Sequence, residues 1–269
     1  MRTILIFGFI FLVPFIGCNS VQDELIHYEM ELPPEHELQE HTDLSYKSYD
    51  DYVKVVRVYL LRQNYDRALK YILKMENDYP DRYILEGDLF VKCFVNLMLD
   101  RGQDTSEDLE NFSKQFPSPE TCFFASLFEM RMKNIHKAIE YLDKIELSET
   151  ELAERHDDGF FYTMHMTKAA ALLMLNEHEA GKKEYKMFLD VAKRFEHIVP
   201  LDCSTGYINL IDKAIEKPDE YFIIIADLPL PAPIPCPDDP EKVQIFVQYH
   251  LNLISKIDNT VVATCTVKL

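Results

Sequence analysis

The fold is decided by residues 49–80, YDDYVKVVRVYLLRQNYDRALKYILKMENDYP, which predict two helices joined by a short turn. Four apolar residues share one face of the first helix, at the spacing i, i+3, i+4 and i+7: Tyr52, Val55, Val56 and Tyr59. The polar run 63–66 interrupts that face and predicts the turn. A second apolar face then follows and ends at a proline: Ala68, Ile72, Met75 and Pro80. Because one such hairpin leaves a face exposed to water, it needs neighbours of the same kind, as in a solenoid.

Two later segments repeat this order of helix, turn and helix. The second hairpin covers about 83–117, where Gly102 is expected to end the first helix and Ser106 to cap the second. In the third hairpin the turn sequence NIHKA at 134–138 mirrors NYDRA at 64–68. The match places the start of the second helix in both hairpins.

A fourth hairpin and a closing helix complete the helical part of the chain. The fourth hairpin covers 159–196, and its first helix is very rich in alanine and leucine. A last helix is expected at about Thr205–Glu216, because Pro218 stops it. Such a helix would cover the open end of the stack.

These residues resemble the tetratricopeptide repeat, in which aromatic, small and apolar residues and a proline recur at fixed spacings. The matching residues of the first hairpin stand in the same order: Tyr52, Val55, Val56, Tyr59, Ala68, Ile72 and Pro80. Tyr52 replaces the usual tryptophan, Val56 the small glycine and Ile72 the phenylalanine. The resemblance implies a mainly α fold, a right-handed solenoid of helical hairpins, over residues 46–217.

Residues 1–17 predict a signal peptide, because Arg2 precedes an apolar core that is too short to span a membrane comfortably. The following Phe15-Ile16-Gly17-Cys18 resembles a bacterial lipobox, with phenylalanine in place of the usual leucine. The resemblance implies that Cys18 carries a lipid anchor. A plain secreted protein with an unmodified Cys18 is the alternative.

Residues 18–45 are acidic and contain the pair Pro33-Pro34. Like charges repel and prolines block helix formation, so this segment predicts a tether that holds the domain away from a membrane. With a lipid on Cys18, the protein would lie at the outer membrane of the cell envelope, on its periplasmic or surface face.

From residue 218 the pattern changes from helix to extended chain. The segment 218–240 combines a β-branched run at 221–225 with six prolines, which favour an extended linker. Residues 241–269 predict a β-hairpin, because apolar residues alternate on both sides of the turn Asp258-Asn259. The run at 221–226 is expected to join it as a third strand. An isolated hairpin is marginally stable, so this one must pack on the repeats, on another chain or on a partner.

One stripe of the first helices predicts a mostly apolar groove. In tetratricopeptide-like repeats the first helix of each hairpin lines the concave face, so the stripe is expected to bind a protein or peptide partner. Its residues are Val53, Arg57, Leu60, Phe90, Phe94, Leu97, Phe123, Leu127, Met130, Met166, Ala170 and Leu173. Two alternatives remain: the stripe is ordinary core, or the chain's own C-terminal strands cover it.

Composition and motifs narrow the class of function. The net charge is −18 with no basic cluster, which argues against binding to nucleic acid or to anionic lipid by charge. No catalytic motif, phosphate-binding loop or paired metal ligands stand out, so neither a cofactor nor a metal is expected. The run His156-Asp157-Asp158 reads as a solvated loop, and His165 and His178 as polar contacts between helices.

Cysteines give few constraints. Of the six, Cys93 and Cys122 lie in apolar helices and predict buried thiols. A disulfide outside the cytoplasm could join Cys236 to Cys265 or to Cys203, and no disulfide at all is equally compatible with the spacing.

The sequence therefore favours a non-catalytic lipoprotein of the cell envelope that acts as a protein–protein interaction scaffold. Its architecture is similar to that of the tetratricopeptide lipoprotein of the outer-membrane barrel-assembly machine, although the β-rich end departs from it. Two other functions stay open. The proline-rich spacer and the hairpin could be the partner-binding end, or the protein could be an enzyme without a recognisable motif.

Overall fold

The computed structural model describes these residues: 48–81, 86–145, 158–195, 205–226, 230, 232–236, 239–245 and 247–268. They contain nine helices: α1 Tyr49–Leu61, α2 Tyr65–Asp78, α3 Glu86–Met98, α4 Gly102–Gln115, α5 Pro119–Arg131, α6 Ile135–Asp143, α7 Asp158–Met174, α8 His178–Phe195 and α9 Thr205–Glu216. They also contain five strands: β1 Tyr221–Ala226, β2 Ile234–Cys236, β3 Asp239–Gln244, β4 Gln248–Ser255 and β5 Val261–Lys268. The signal peptide, Cys18 and the tether lie outside the described residues. None of the described helices is long and apolar enough to cross a membrane.

The four hairpins share one turn geometry. A single residue adopts a left-handed backbone conformation in each turn, and none of the four is glycine: Gln63, Asp100, Lys133 and Asn176. The next amide donates to the carbonyl five residues back, for example Asn64 N to Tyr59 O at 2.9 Å, and the equivalent bonds recur in the other three turns. This is the Schellman arrangement, which satisfies the last carbonyls of the first helix.

A small residue recurs where the second helix of each hairpin approaches the first. It lies four residues after the last residue of the turn. It is buried in every case: Ala68, Thr105, Ala138 and Gly181. A Cβ on Gly181 would lie 2.9 Å from Leu173 Cγ and 3.4 Å from the carbonyl oxygen of Ala169. The close approach of the helices therefore selects small side chains at this position.

The described residues form two compact units. The first contains α1 to α4 with the short strands β2 and β3. Its hairpins α1–α2 and α3–α4 pack through α2 and α3, and β3 packs on α1. Large side chains fill the centre, including Tyr52, Phe94 and Phe112, all of which are fully buried. Burial of this apolar surface is the main source of stability for a unit of this kind.

The second unit contains α5 to α9 and an antiparallel sheet with the strand order β1-β4-β5. Alternating residues place one face of the sheet in the core: Ile223, Ile225, Tyr249, Leu251, Leu253 and Cys265 are all buried. In the register, Ile225 faces Leu251 and Leu251 faces Cys265. The helix α9 packs on β1 and β5 and on α8. The predicted last helix and three-stranded sheet are thus confirmed.

Two details differ from the expectation. The alternating run predicted as one strand from residue 243 divides, because β3 ends at Gln244 and β4 begins at Gln248. Part of the proline-rich linker forms a strand, since Ile234 pairs with Gln244 and Pro235 with Val243. An extended proline-rich segment can pair at a sheet edge, where its missing amide hydrogens are not needed.

The second turn also differs. Ser106 does not cap α4, because this helix begins at Gly102 and Ser106 is buried within it. Asp100, and not Gly102, takes the left-handed conformation that ends α3. The repeated turn geometry therefore overrides the local preference for glycine.

Candidate functional site

The predicted groove begins in the first unit, on α1 and α3. Leu60, Phe90 and Phe94 are buried there, whereas the other three predicted residues are partly exposed: Val53, Arg57 and Leu97. The ring of Tyr65 packs edge-on against Phe94, with 6.2 Å between centroids. The Nε atom of Arg57 is buried without a hydrogen-bond partner in the described residues. In this unit half of the predicted stripe belongs to the core.

In the second unit the stripe lies on α5 and α7. All six predicted side chains are buried: Phe123, Leu127, Met130, Met166, Ala170 and Leu173. The sheet contributes to this burial, because α5 packs against β4 and α7 against β1. A buried hydrogen bond of 3.0 Å joins Thr167 Oγ1 on α7 to Tyr249 Oη on β4.

Helix α9 closes the same region. The hydroxyl of Tyr207 on α9 donates to the carbonyl oxygen of Met166 at 2.5 Å. Side chains this deeply packed can touch a partner only if the covering element moves away. Use of the groove by a partner stays a prediction, and the structure gives the stripe an internal role in the core.

The opposite face of the sheet is partly open and apolar. Exposed large apolar residues of the described chain concentrate on the sheet and its β4–β5 turn: Ile224, Ile257, Val261 and Val262, against Leu73 and Met187 elsewhere. A depression of about 510 Å³ lies on this face, where Ile224, Ala226 and Val261 supply apolar surface. Thr264 donates a hydrogen bond of 2.8 Å to Asn252 Oδ1 at its edge. Lys133 is the charged residue that lines the depression.

A half-buried charge cluster lies in each unit. In the first, Lys92 Nζ on α3 is 3.2 Å from Glu76 Oε2 on α2 and 3.1 Å from Asp108 Oδ1 on α4. The amide of Asn96 donates to Asp108 Oδ2 at 2.7 Å. The Lys92 side chain is 14% exposed, so water screens these attractions only in part.

The cluster of the second unit has one more member. Lys168 Nζ on α7 is 3.0 Å from Asp143 Oδ1 on α6 and 3.2 Å from Glu184 Oε1 on α8. His165 Nδ1 lies 2.8 Å from Glu184 Oε2, which makes it the polar contact between helices that the sequence predicted. The Lys168 side chain is 21% exposed.

The two carboxyls respond oppositely to these surroundings. Burial raises the pKa of Asp108 above its ordinary value, and the nearby Lys92 only partly opposes this. Burial acts in the same direction on Glu184, but the hydrogen bond from His165 and the charge of Lys168 outweigh it, so the pKa of Glu184 is lowered. The pKa values of Lys92 and Lys168 are raised, because their carboxylate partners outweigh the effect of burial. The sequence predicted the interhelical contact of His165 but neither of the two lysine-centred clusters.

Cys93, Cys122 and Cys265 are free and buried, and burial raises the pKa of Cys265 to about 12. Cys265 therefore forms no disulfide with Cys236, and Cys203 lies outside the described residues. Among the residues that the structure describes, no three His, Cys, Asp or Glu side chains are grouped to hold a metal ion. Of the run at 156–158, only Asp158 is described.

Comparison with known proteins adds no relative to this picture. No protein-family model, no curated protein and no solved structure matches the chain.

Proposed function

We propose that this protein is a non-catalytic interaction scaffold of the cell envelope, held at the membrane by a lipid on Cys18. The scaffold would be a right-handed, tetratricopeptide-like stack of hairpins. This proposal is supported by the four equivalent turns and by the buried small residue that recurs after each of them. Repeats of this kind usually serve to bind proteins.

The partner-binding surface in this proposal is the edge of β5 that no described strand pairs with, together with the outer face of the sheet beside it. The observation that carries it is the distribution of exposed apolar side chains, which gather on β1, β5 and the turn before β5. An apolar patch on a protein of net charge −18 is a surface where a partner can bind without charge repulsion. The groove, whose side chains are mostly buried, is the less accessible alternative.

The partner expected at this face is a protein segment in extended conformation. Within the described residues, no strand pairs with the second edge of β5. From Thr260 to Val267 this part of the chain carries no charged side chain, and it is rich in β-branched residues. Edge strands normally carry charges that prevent pairing, so an uncharged edge favours the addition of a further strand.

Site-specific photo-crosslinking in the cells that make the protein tests the surface. A photoreactive residue at Val261 or Val262, which are 56% and 41% exposed on β5, is expected to give one adduct of defined mass. Leu73 and Met187, at 46% and 41%, are matched apolar control positions away from the sheet. Equal adducts from the controls would overturn the proposed surface. Adducts from Arg57 or Leu97 alone would assign binding to the groove.

The lipid anchor has a separate test. Cys18→Ala is expected to abolish incorporation of labelled fatty acid and to release the chain from the membrane fraction. Unchanged membrane association in the variant would exclude Cys18 as the anchor. The result does not depend on which face binds the partner.

A further inference from the structure

The two charge clusters occupy equivalent places in alternate hairpins. Lys92 lies nine residues before Arg101, the residue that precedes α4, and Lys168 lies nine residues before Glu177, which precedes α8. The carboxyl on the second helix follows its lysine by sixteen residues in both hairpins, as 92 to 108 and 168 to 184 show. Equal positions in the hairpin and equal partners indicate one structural device that is used twice.

The first and third hairpins fill the same two positions with uncharged residues. The lysine position holds Val55 and Ala125, and the carboxyl position holds Tyr71 and Tyr141. Tyr71 is buried and stacks on Tyr59, with 5.5 Å between ring centroids. The hairpins therefore alternate between an aromatic type and a charged type, and each compact unit contains one of each.

Each lysine reaches beyond its own hairpin. Asp108 and Glu184 belong to the same hairpin as their lysine, whereas Glu76 and Asp143 lie on the last helix of the preceding hairpin. One ammonium group thus bonds three consecutive helices. Loss of the lysine would leave the half-buried carboxylate of Asp108 or Glu184 without its counter-charge in a site with little water, which is strongly unfavourable.

We infer that Lys92 and Lys168 are electrostatic clamps, each of which fixes a charged hairpin to the aromatic hairpin before it. The chain then consists of two clamped pairs, α1–α4 and α5–α8. In each pair the clamp sets the contact between neighbouring hairpins, while the small residue after the turn sets the contact within a hairpin.

Hydrogen exchange on the full chain tests the clamp. Lys92→Met is expected to raise amide exchange about tenfold in α2 to α4 and to leave the second unit unchanged. Lys168→Met is expected to raise amide exchange about tenfold in α6 to α8 and to leave the first unit unchanged. Lys114→Met is the matched control, since Lys114 makes a 2.6 Å ion pair with Glu110 on an exposed surface of one helix. It is expected to change nothing measurable.

A milder pair of variants keeps the test decisive if a lysine variant unfolds. Glu76→Gln and Asp143→Asn remove only the negative charge that the preceding hairpin presents to the lysine, and both carboxylates are well exposed. Each is expected to raise exchange where the two hairpins meet, in α2 and α3 or in α6 and α7. Unchanged exchange at these helices, or an equal rise in both units from a single substitution, would overturn the clamp.

Discussion

The two units use the same hairpin skeleton but protect it differently. In the first, the short strand β3 packs on α1, and the core ends in Phe112 with Phe116 beside it at 6.0 Å. In the second, a three-stranded sheet and α9 enclose α5 and α7. The comparison predicts that the second unit is the more stable, because buried apolar area grows with each covering layer.

The largest difference is expected at two equivalent phenylalanines, Phe112 and Phe188. Both are fully buried, but Phe188 also contacts the rings of Tyr162, Tyr185 and Tyr207 at centroid distances of 4.8 to 5.8 Å. Phe188→Ala should destabilise by about 4–5 kcal/mol and Phe112→Ala by about 3 kcal/mol, measured by chemical denaturation. Equal losses would show that the covering layer adds nothing to the core.

The hydrogen bond between the sheet and α7 gives the next largest effect. Tyr249→Phe leaves the buried Thr167 hydroxyl without this partner and should cost about 1–3 kcal/mol. Tyr249→Phe combined with Thr167→Val removes both polar groups and should recover most of the loss. A double variant less stable than either single one would show that the two side chains act through packing.

The helical part of the fold was predictable because its signals are local. Apolar spacing located the hairpins, and the pair Asn64 and Asn134 located the start of two second helices. The turn chemistry was less predictable. Asp100 adopts a left-handed conformation that glycine prefers, at a cost of about 1 kcal/mol that packing of the hairpin offsets.

The candidate site was less predictable than the fold. The part of the stripe on α5 and α7 has the same sequence pattern whether it faces a partner or the chain's own sheet, because β1 and β4, which pack against it, come from residues far along the chain. The clamps do have a sequence signal, the sixteen-residue interval after Lys92 and Lys168. It is visible only once the four turns are aligned, and the turns are fixed by the structure.

Asn64 and Asn134 precede the second helix of two hairpins, and their substitution is expected to have a smaller effect on stability. Asn64 Oδ1 accepts a bond of 3.3 Å from the Arg67 amide, so Asn64→Ala loses a helix cap and should cost about 1 kcal/mol. Asn134 makes no cap bond and instead donates to the buried Glu129 carboxylate at 2.8 Å. Asn134→Ala should therefore cost more, about 2 kcal/mol, in the same denaturation experiment. The reverse order would place the stronger bond at the cap.

The smallest effect concerns pH, where the equivalent carboxyls Asp108 and Glu184 should act with opposite sign. The pKa of Glu184 is lower in the folded than in the unfolded chain, so its stabilising effect is present above about 4.5 and is lost as pH falls below that value. The pKa of Asp108 is raised in the folded chain, so as pH falls the folded chain binds this proton before the unfolded chain does. Protonation of Asp108 therefore stabilises the fold as pH falls.

Denaturation between about pH 6 and pH 3 should separate the two contributions, because both carboxyls titrate there. With Glu184→Gln, the free energy of unfolding should decrease less steeply as pH falls. With Asp108→Asn, it should decrease more steeply. Glu179→Gln, an exposed carboxylate on α8, is the matched control for Glu184. If both buried variants change the profile in one direction, the surroundings of the two carboxyls are equivalent, and the extra bond from His165 does not distinguish the second unit from the first.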